Sequence, residues 1–128
     1  VSLGGGKVKQ ANLEDLAQWC RPGTVIEMVH AMPRQGVASM FSFGRATGAL
    51  EAVCQCTALD VKWVVPQVWK AHFGLLGLGK FASLVAVAKL YPAAKEVFGV
   101  SWDVKANIGA AEAVLIARWH LDTRPQSA

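Results

Sequence analysis

Residues 24–44 read "TVIEMVHAMPRQGVASMFSFG". The segment opens as a short β-branched run, Thr24 to Val29, with the length and composition of a sheet-interior strand, yet Glu27 sits within it. A carboxylate among Val and Ile costs free energy unless it is ion-paired, protonated or bound to a cation. His30, Pro33, Arg34, Gln35 and Gly36 then form a polar, basic turn, and apolar residues spaced three and four apart resume after Ser39. A packing strand needs neither the acid nor the basic turn, so the segment is a candidate for chemistry.

Working outward, the spacing of Met40, Phe43, Thr47, Leu50 and Cys54 predicts a helix over 39–58. Gly44 and Gly48 lie one turn apart on it and favour close backbone packing over intrinsic stability. A second strand is expected at 61–65, ended by Pro66, followed by a short helix at 67–72 and a loop at 74–79. A helix over 80–90 stops before Pro92, and 93–106 reads as irregular or as a short helix and a turn. The last helix is expected over 109–121, with Ala113, Ile116 and Ala117 inward and Glu112, Arg118 and His120 available for polar work. Upstream, residues 1–10 with their Gly triplet read as a flexible entry segment, and Asn12 caps a helix running to about Cys20.

This alternation of helices and strands is an α/β pattern. It is also incomplete. Parallel sheets occur almost only with several strands covered on both faces, and two strands joined by one helix leave an apolar edge open. The missing neighbour is expected from a segment preceding Val1 or from another chain.

The bulk properties bound the function. A chain of 128 residues, 53% hydrophobic and 17% charged, is of single-domain length and is not a disordered polymer. Lys62, Lys70, Lys80 and Lys89 interrupt the most apolar region, so no membrane span is expected. Thirteen basic against nine acidic residues, a net charge of +4, lean modestly towards a polyanionic partner. Cys20, Cys54 and Cys56 have no zinc spacing and read as buried thiols in a reducing compartment. Five Trp residues are many for this length, and most are expected in the core, although Trp also anchors interfaces.

The acids worth singling out are Glu27 and, on the last helix within "IGAAEAVLIARW", Glu112. Converging carboxylates suit a divalent cation, which takes hard oxygen ligands and activates water for phosphodiester hydrolysis. The plainer alternatives are a salt bridge for Glu27 and a solvated helix face for Glu112.

In order along the chain stand "VIEMVHAMPRQGVASMFSFG", "VVPQVWKAHFGL", the K-x-x-S spacing of Lys80 and Ser83 with "LYP" closing that helix, and "GAAEAVLIA". From about Leu13 to His120 this series resembles the RuvC-like Holliday junction resolvases of phage and organelle lineages. The resemblance implies an RNase H-like α/β fold, here a small partial parallel sheet flanked by helices and lacking the N-terminal strands. It also implies a Mg²⁺-dependent endonuclease that cuts four-way DNA junctions with four acidic or histidine ligands. Glu27 falls on the second of these ligands and Glu112 on the last. His30, Arg34, Gln35 and Ser39 fall on the substrate-side surface, and Lys70 of P-x-x-W-K and Lys80 fall near phosphate.

The departures matter as much. Nothing before Glu27 matches the family's first acid, Ile108 stands at the fourth ligand position, Ala110 replaces a common Arg, and Phe81 replaces an acid. The expectation is therefore a resolvase-derived nucleic-acid-binding protein with a degraded metal site. It would serve as a binding or assembly component on a four-way junction or structured RNA, as a homodimer or in a large complex. An organellar, mitochondrial ribonucleoprotein is favoured over a phage or bacterial cytoplasm. The alternative is an active Mg²⁺-dependent junction endonuclease in DNA recombination or repair.

Overall fold

The strand read at 24–29 is realised as β1 (Val25–Glu27) in a computed structural model that describes residues 18, 22–57, 60–94, 96 and 105–125. The entry segment, the helix expected up to Cys20 apart from Gln18, which is helical, and Trp19 and Trp102 lie outside the described residues. The chain divides into two compact units, Val1–Trp63 and Val64–Ala128.

In the first unit, β1 leads through the basic turn into α1 (Val37–Cys56), which returns the chain to β2 (Lys62–Val64). The two strands pair in parallel, as a helical crossover requires, and Lys62 N–H donates to Thr24 O at 3.0 Å. No third strand is present among the described residues, so the neighbour anticipated for this sheet is not supplied by them. Helix α1 starts two residues earlier than its apolar spacing suggested. Thr57 closes it, with both its N–H and its hydroxyl bonded to Val53 O, at 3.0 and 2.9 Å. The small core consists of Val53 and Cys54, with Ile26, Leu50 and Val61 packed around them.

Two expectations for α1 change. Cys54 is buried but Cys56 is exposed, since residues two apart on a helix point to different sides. Phe43, placed on the inward stripe, is 41% exposed. The inward face is apolar only towards the C-terminal end of the helix, where the strands lie.

The second unit is helical. Pro66 opens α2 (Pro66–His72) at its first turn, where the missing N–H costs nothing. A glycine-bearing loop leads to α3 (Ala82–Leu90), and α4 (Lys105–Thr123) packs chiefly on α3 and also on α2. Lys80, expected inside α3, lies in the turn before it. Gly109, expected to start the last helix, lies within α4. Packing against α3 outweighs the roughly 1 kcal/mol that an internal Gly costs.

The inward face of α4 is also corrected. Ala111, Leu115, Ile116 and Trp119 are buried, whereas Ala113 and Ala117 are exposed. Burying Leu115 and Trp119 removes far more apolar area from water than burying two alanines, and this sets the rotation of the helix. Trp69, Leu115 and Val87 are the largest fully enclosed side chains. Among the described residues, no helix is long and apolar enough to cross a membrane.

Candidate nucleic-acid interface

The basic turn of the first unit is tightly specified. Gln35 N–H donates to Met32 O at 3.2 Å, Pro33 occupies the second position and Arg34 the third with φ +68°, which makes a type II turn. Gln35 also folds its side chain back, accepting from Met32 N–H at 3.1 Å and donating to Ser39 Oγ at 3.4 Å. In the tautomer protonated at Nδ1, His30 donates to Ala31 O at 2.9 Å. Gln35 and Ser39 thus serve the turn and the start of α1, and His30 and Arg34 are left at the exposed surface. A further cation, Arg45, lies over the exposed Phe41 ring at 5.8 Å.

Glu27 is partly buried at the end of β1. It does not line the hollow of about 370 Å³ in this unit, which is bounded by Met28, Glu51, Cys54, Gln55, Val61 and Trp63. Glu51 is the acid found there. Its helical position alone gave no sign of this, since a glutamate on a helix reads as solvated.

The second unit gathers side chains from three separate segments around a cleft of about 150 Å³. Its walls include Lys70 from α2, Lys80, Ala82 and Ser83 from the start of α3, and Ile108 and Glu112 from α4. Leu75, Leu78 and Gly79 complete the lining. Lys70 Nζ stands 5.4 Å from the centre of the Trp69 ring, an attraction between cation and ring face that restrains the ammonium. Ser83 is buried, the one buried polar residue of this core among the described residues. Helix α3 begins at the cleft with no acidic residue in its own first turn, and Glu112 of α4 is the carboxylate that shares the cleft with that start. The cleft thus brings two ammonium groups and one carboxylate together, a lining of net positive charge.

The same helices are joined by a second polar cluster that sequence reading missed. Asp122 Oδ2 lies 2.9 Å from His72 Nε2, and its Oδ1 accepts from Arg118 Nε at 2.7 Å. Arg118 also donates to Tyr91 Oη at 3.3 Å. The hydrogen bonds to His72, then to Arg118, hold the Asp122 carboxyl below its ordinary range. Tyr91 and then Asp122 push the Arg118 guanidinium up. The Arg118–Asp122 spacing of four was visible in the sequence, but a His fifty residues away was not. His120, expected to be available for polar work, instead has Nδ1 buried with no hydrogen-bond partner among the described residues.

Among the described residues, the donors do not fit a hard divalent ion within either unit. Mg²⁺ demands near-octahedral oxygen ligation, whereas the cleft offers a single carboxylate, flanked by two ammonium groups and an isoleucine at the expected ligand position. Among the described residues, no three His, Cys, Asp or Glu side chains are grouped so as to hold a metal. Glu27 and Glu112 belong to different units, and each is the single carboxylate that the resemblance carries onto its unit. The sequence matches no known protein-family model, and no curated protein is significantly similar to it.

Proposed function

We propose that this chain binds branched or structured nucleic acid as a resolvase-derived, RNase H-like protein whose metal site is incomplete. One observation carries the reading. Lys70, Lys80, Ser83, Ile108 and Glu112, singled out from three separate motifs, line the same cleft. Two cations and Ser83 beside the start of α3, against the single carboxylate of Glu112, supply the net positive chemistry that recognises a phosphodiester. The basic turn at His30 and Arg34 supplies a second cationic surface in the other unit. Replacement of a ligand by Ile108 removes the clamp that a metal-dependent cut needs and leaves binding intact, which favours a role in assembly, as in an organellar ribonucleoprotein.

A second reading, an active Mg²⁺-dependent junction endonuclease, is favoured by the retention of Glu112 in the cleft. It needs further oxygen ligands beyond the carboxylates of the two units.

The test is binding and cleavage of a four-way DNA junction and of a structured RNA by the full chain, with Mg²⁺ and with a chelator. Binding that persists in chelator, weakens about tenfold in Lys70→Glu and shows a shallower salt dependence is expected. Cutting that requires Mg²⁺ and is abolished by Glu27→Gln or Glu112→Gln would establish the endonuclease instead. No binding to either substrate would refute both readings.

A further inference from the structure

We infer that the cleft of the second unit takes an unpaired nucleotide, with its phosphate inside and its base stacked on Phe81 at the rim. This rests on the nucleic-acid reading above and goes beyond it by selecting the strand state of the ligand. At about 150 Å³ the cleft is well below the roughly 300–1,000 Å³ of a site that encloses a whole small molecule. It admits one group of a nucleotide and leaves the rest outside.

The charge of the walls points to that group. Lys70, Lys80 and Ser83 line the cleft with the single carboxylate of Glu112, a net positive lining that suits a phosphate better than an uncharged base edge. What lies outside then meets the rim, and the rim is apolar. Phe81 stands between the lining residues Lys80 and Ala82 and is 53% exposed. Leu78, itself in the lining, is 59% exposed, and Val85 is exposed one turn further along α3.

An isolated exposed apolar residue needs no explanation, but a group of them beside two lysines does. Aromatic rings interleaved with cations form the stacking platform of single-strand binding surfaces, since every base has a π-face. In a duplex those faces are covered by neighbouring base pairs, so Phe81 can stack only on a base that is unpaired or at an end. The turn Leu75–Leu78 fixes this rim. Leu78 N–H donates to Leu75 O at 3.2 Å, with Gly77 at φ +74°.

The deciding measurement is fluorescence anisotropy of the full chain with a short single strand and with the blunt duplex of the same sequence, each as DNA and as RNA. At least one single strand is expected to bind about tenfold more tightly than its duplex. Phe81→Ala should abolish that preference and Phe81→Tyr should retain it, stacking on one base being worth roughly a 5- to 150-fold change. Lys80→Ala should weaken single strand and duplex alike. Equal binding of single strand and duplex, unaffected by Phe81→Ala, overturns the stacking role while the nucleic-acid reading stands. Failure to bind any of the four probes while the four-way junction or structured RNA is still bound overturns the stacking role alone, and failure to bind those as well, or binding to anionic vesicles alone, overturns both. Phe81 is exposed, so the variant is expected to fold, and its thermal unfolding checks this.

Discussion

Arg34→Gly should make the protein more stable and a poorer ligand for nucleic acid. Arg34 holds φ +68° at the third position of the turn Met32–Gln35, where type II geometry favours glycine. For a residue with a Cβ, the left-handed region costs about 1–2 kcal/mol. Glycine removes that cost but adds about 0.5–1 kcal/mol of backbone entropy to the unfolded chain. The net gain is about 0.5–1 kcal/mol, or about 2–4 °C in Tm for a chain of this size. The side chain is exposed, so little packing is lost. Thermal and urea unfolding of Arg34→Gly and Arg34→Ala give the comparison, since alanine removes the guanidinium but keeps the Cβ. Glycine should exceed alanine in stability, while both lose affinity for nucleic acid relative to the parent chain. If the glycine variant is no more stable than the alanine one, the backbone of Arg34 is not strained and the reasoning fails. If stability rises and binding is unchanged, the turn carries strain without using the guanidinium for nucleic acid.

Three further outcomes are expected. Gly77→Ala places a Cβ at φ +74° and should lower stability by about 1 kcal/mol, read from urea midpoints; an unchanged midpoint would mean that the loop relaxes freely. Leu115→Ala empties a fully enclosed position and should cost about 2–5 kcal/mol, so a loss below 1 kcal/mol would show that the contact of α4 with the other helices is not the core of this unit. The Asp122 carboxyl is held below its ordinary value in the folded chain, so its contribution is complete above that ordinary value and is lost as pH falls through the depressed one. Asp122→Asn should therefore flatten the acid limb of a stability–pH profile, and an acid limb identical to that of the parent chain would remove Asp122 as its cause.

What the sequence disclosed depended on how local the determining physics was. Pro66 marks the start of α2 and Pro92 follows the end of α3, because each proline restricts its own backbone and that of the residue before it. The rotation of α4 was misread because alanine is spread around the helix, so apolar spacing alone does not say which side faces α3. Leu115 and Trp119 decide it by size. Lys70, Lys80 and Glu112 could be chosen as candidates from motif and residue type, but their sharing of one cleft follows from the packing of α4 on α2 and α3. Pro33 announced a turn, yet with Arg rather than Gly at the next position nothing local revealed its left-handed backbone. The pairing of His72 with Asp122 is purely tertiary.

That pairing has a mechanical meaning. Ser83 and Glu112 mark where α3 and α4 meet at the cleft, and Tyr91 and Arg118 mark where they meet again. Six residues of α4 separate Glu112 from Arg118, about 9 Å along its axis, and both helices run in the same sense between the two points. The polar cluster ties the far ends of α3 and α4 to the last turn of α2, the same turn that carries Lys70 into the cleft. The cluster thus adds a second, polar tie to the buried contacts at Leu84, Val87, Ala111 and Leu115, and together they set the register in which the cleft-lining residues meet.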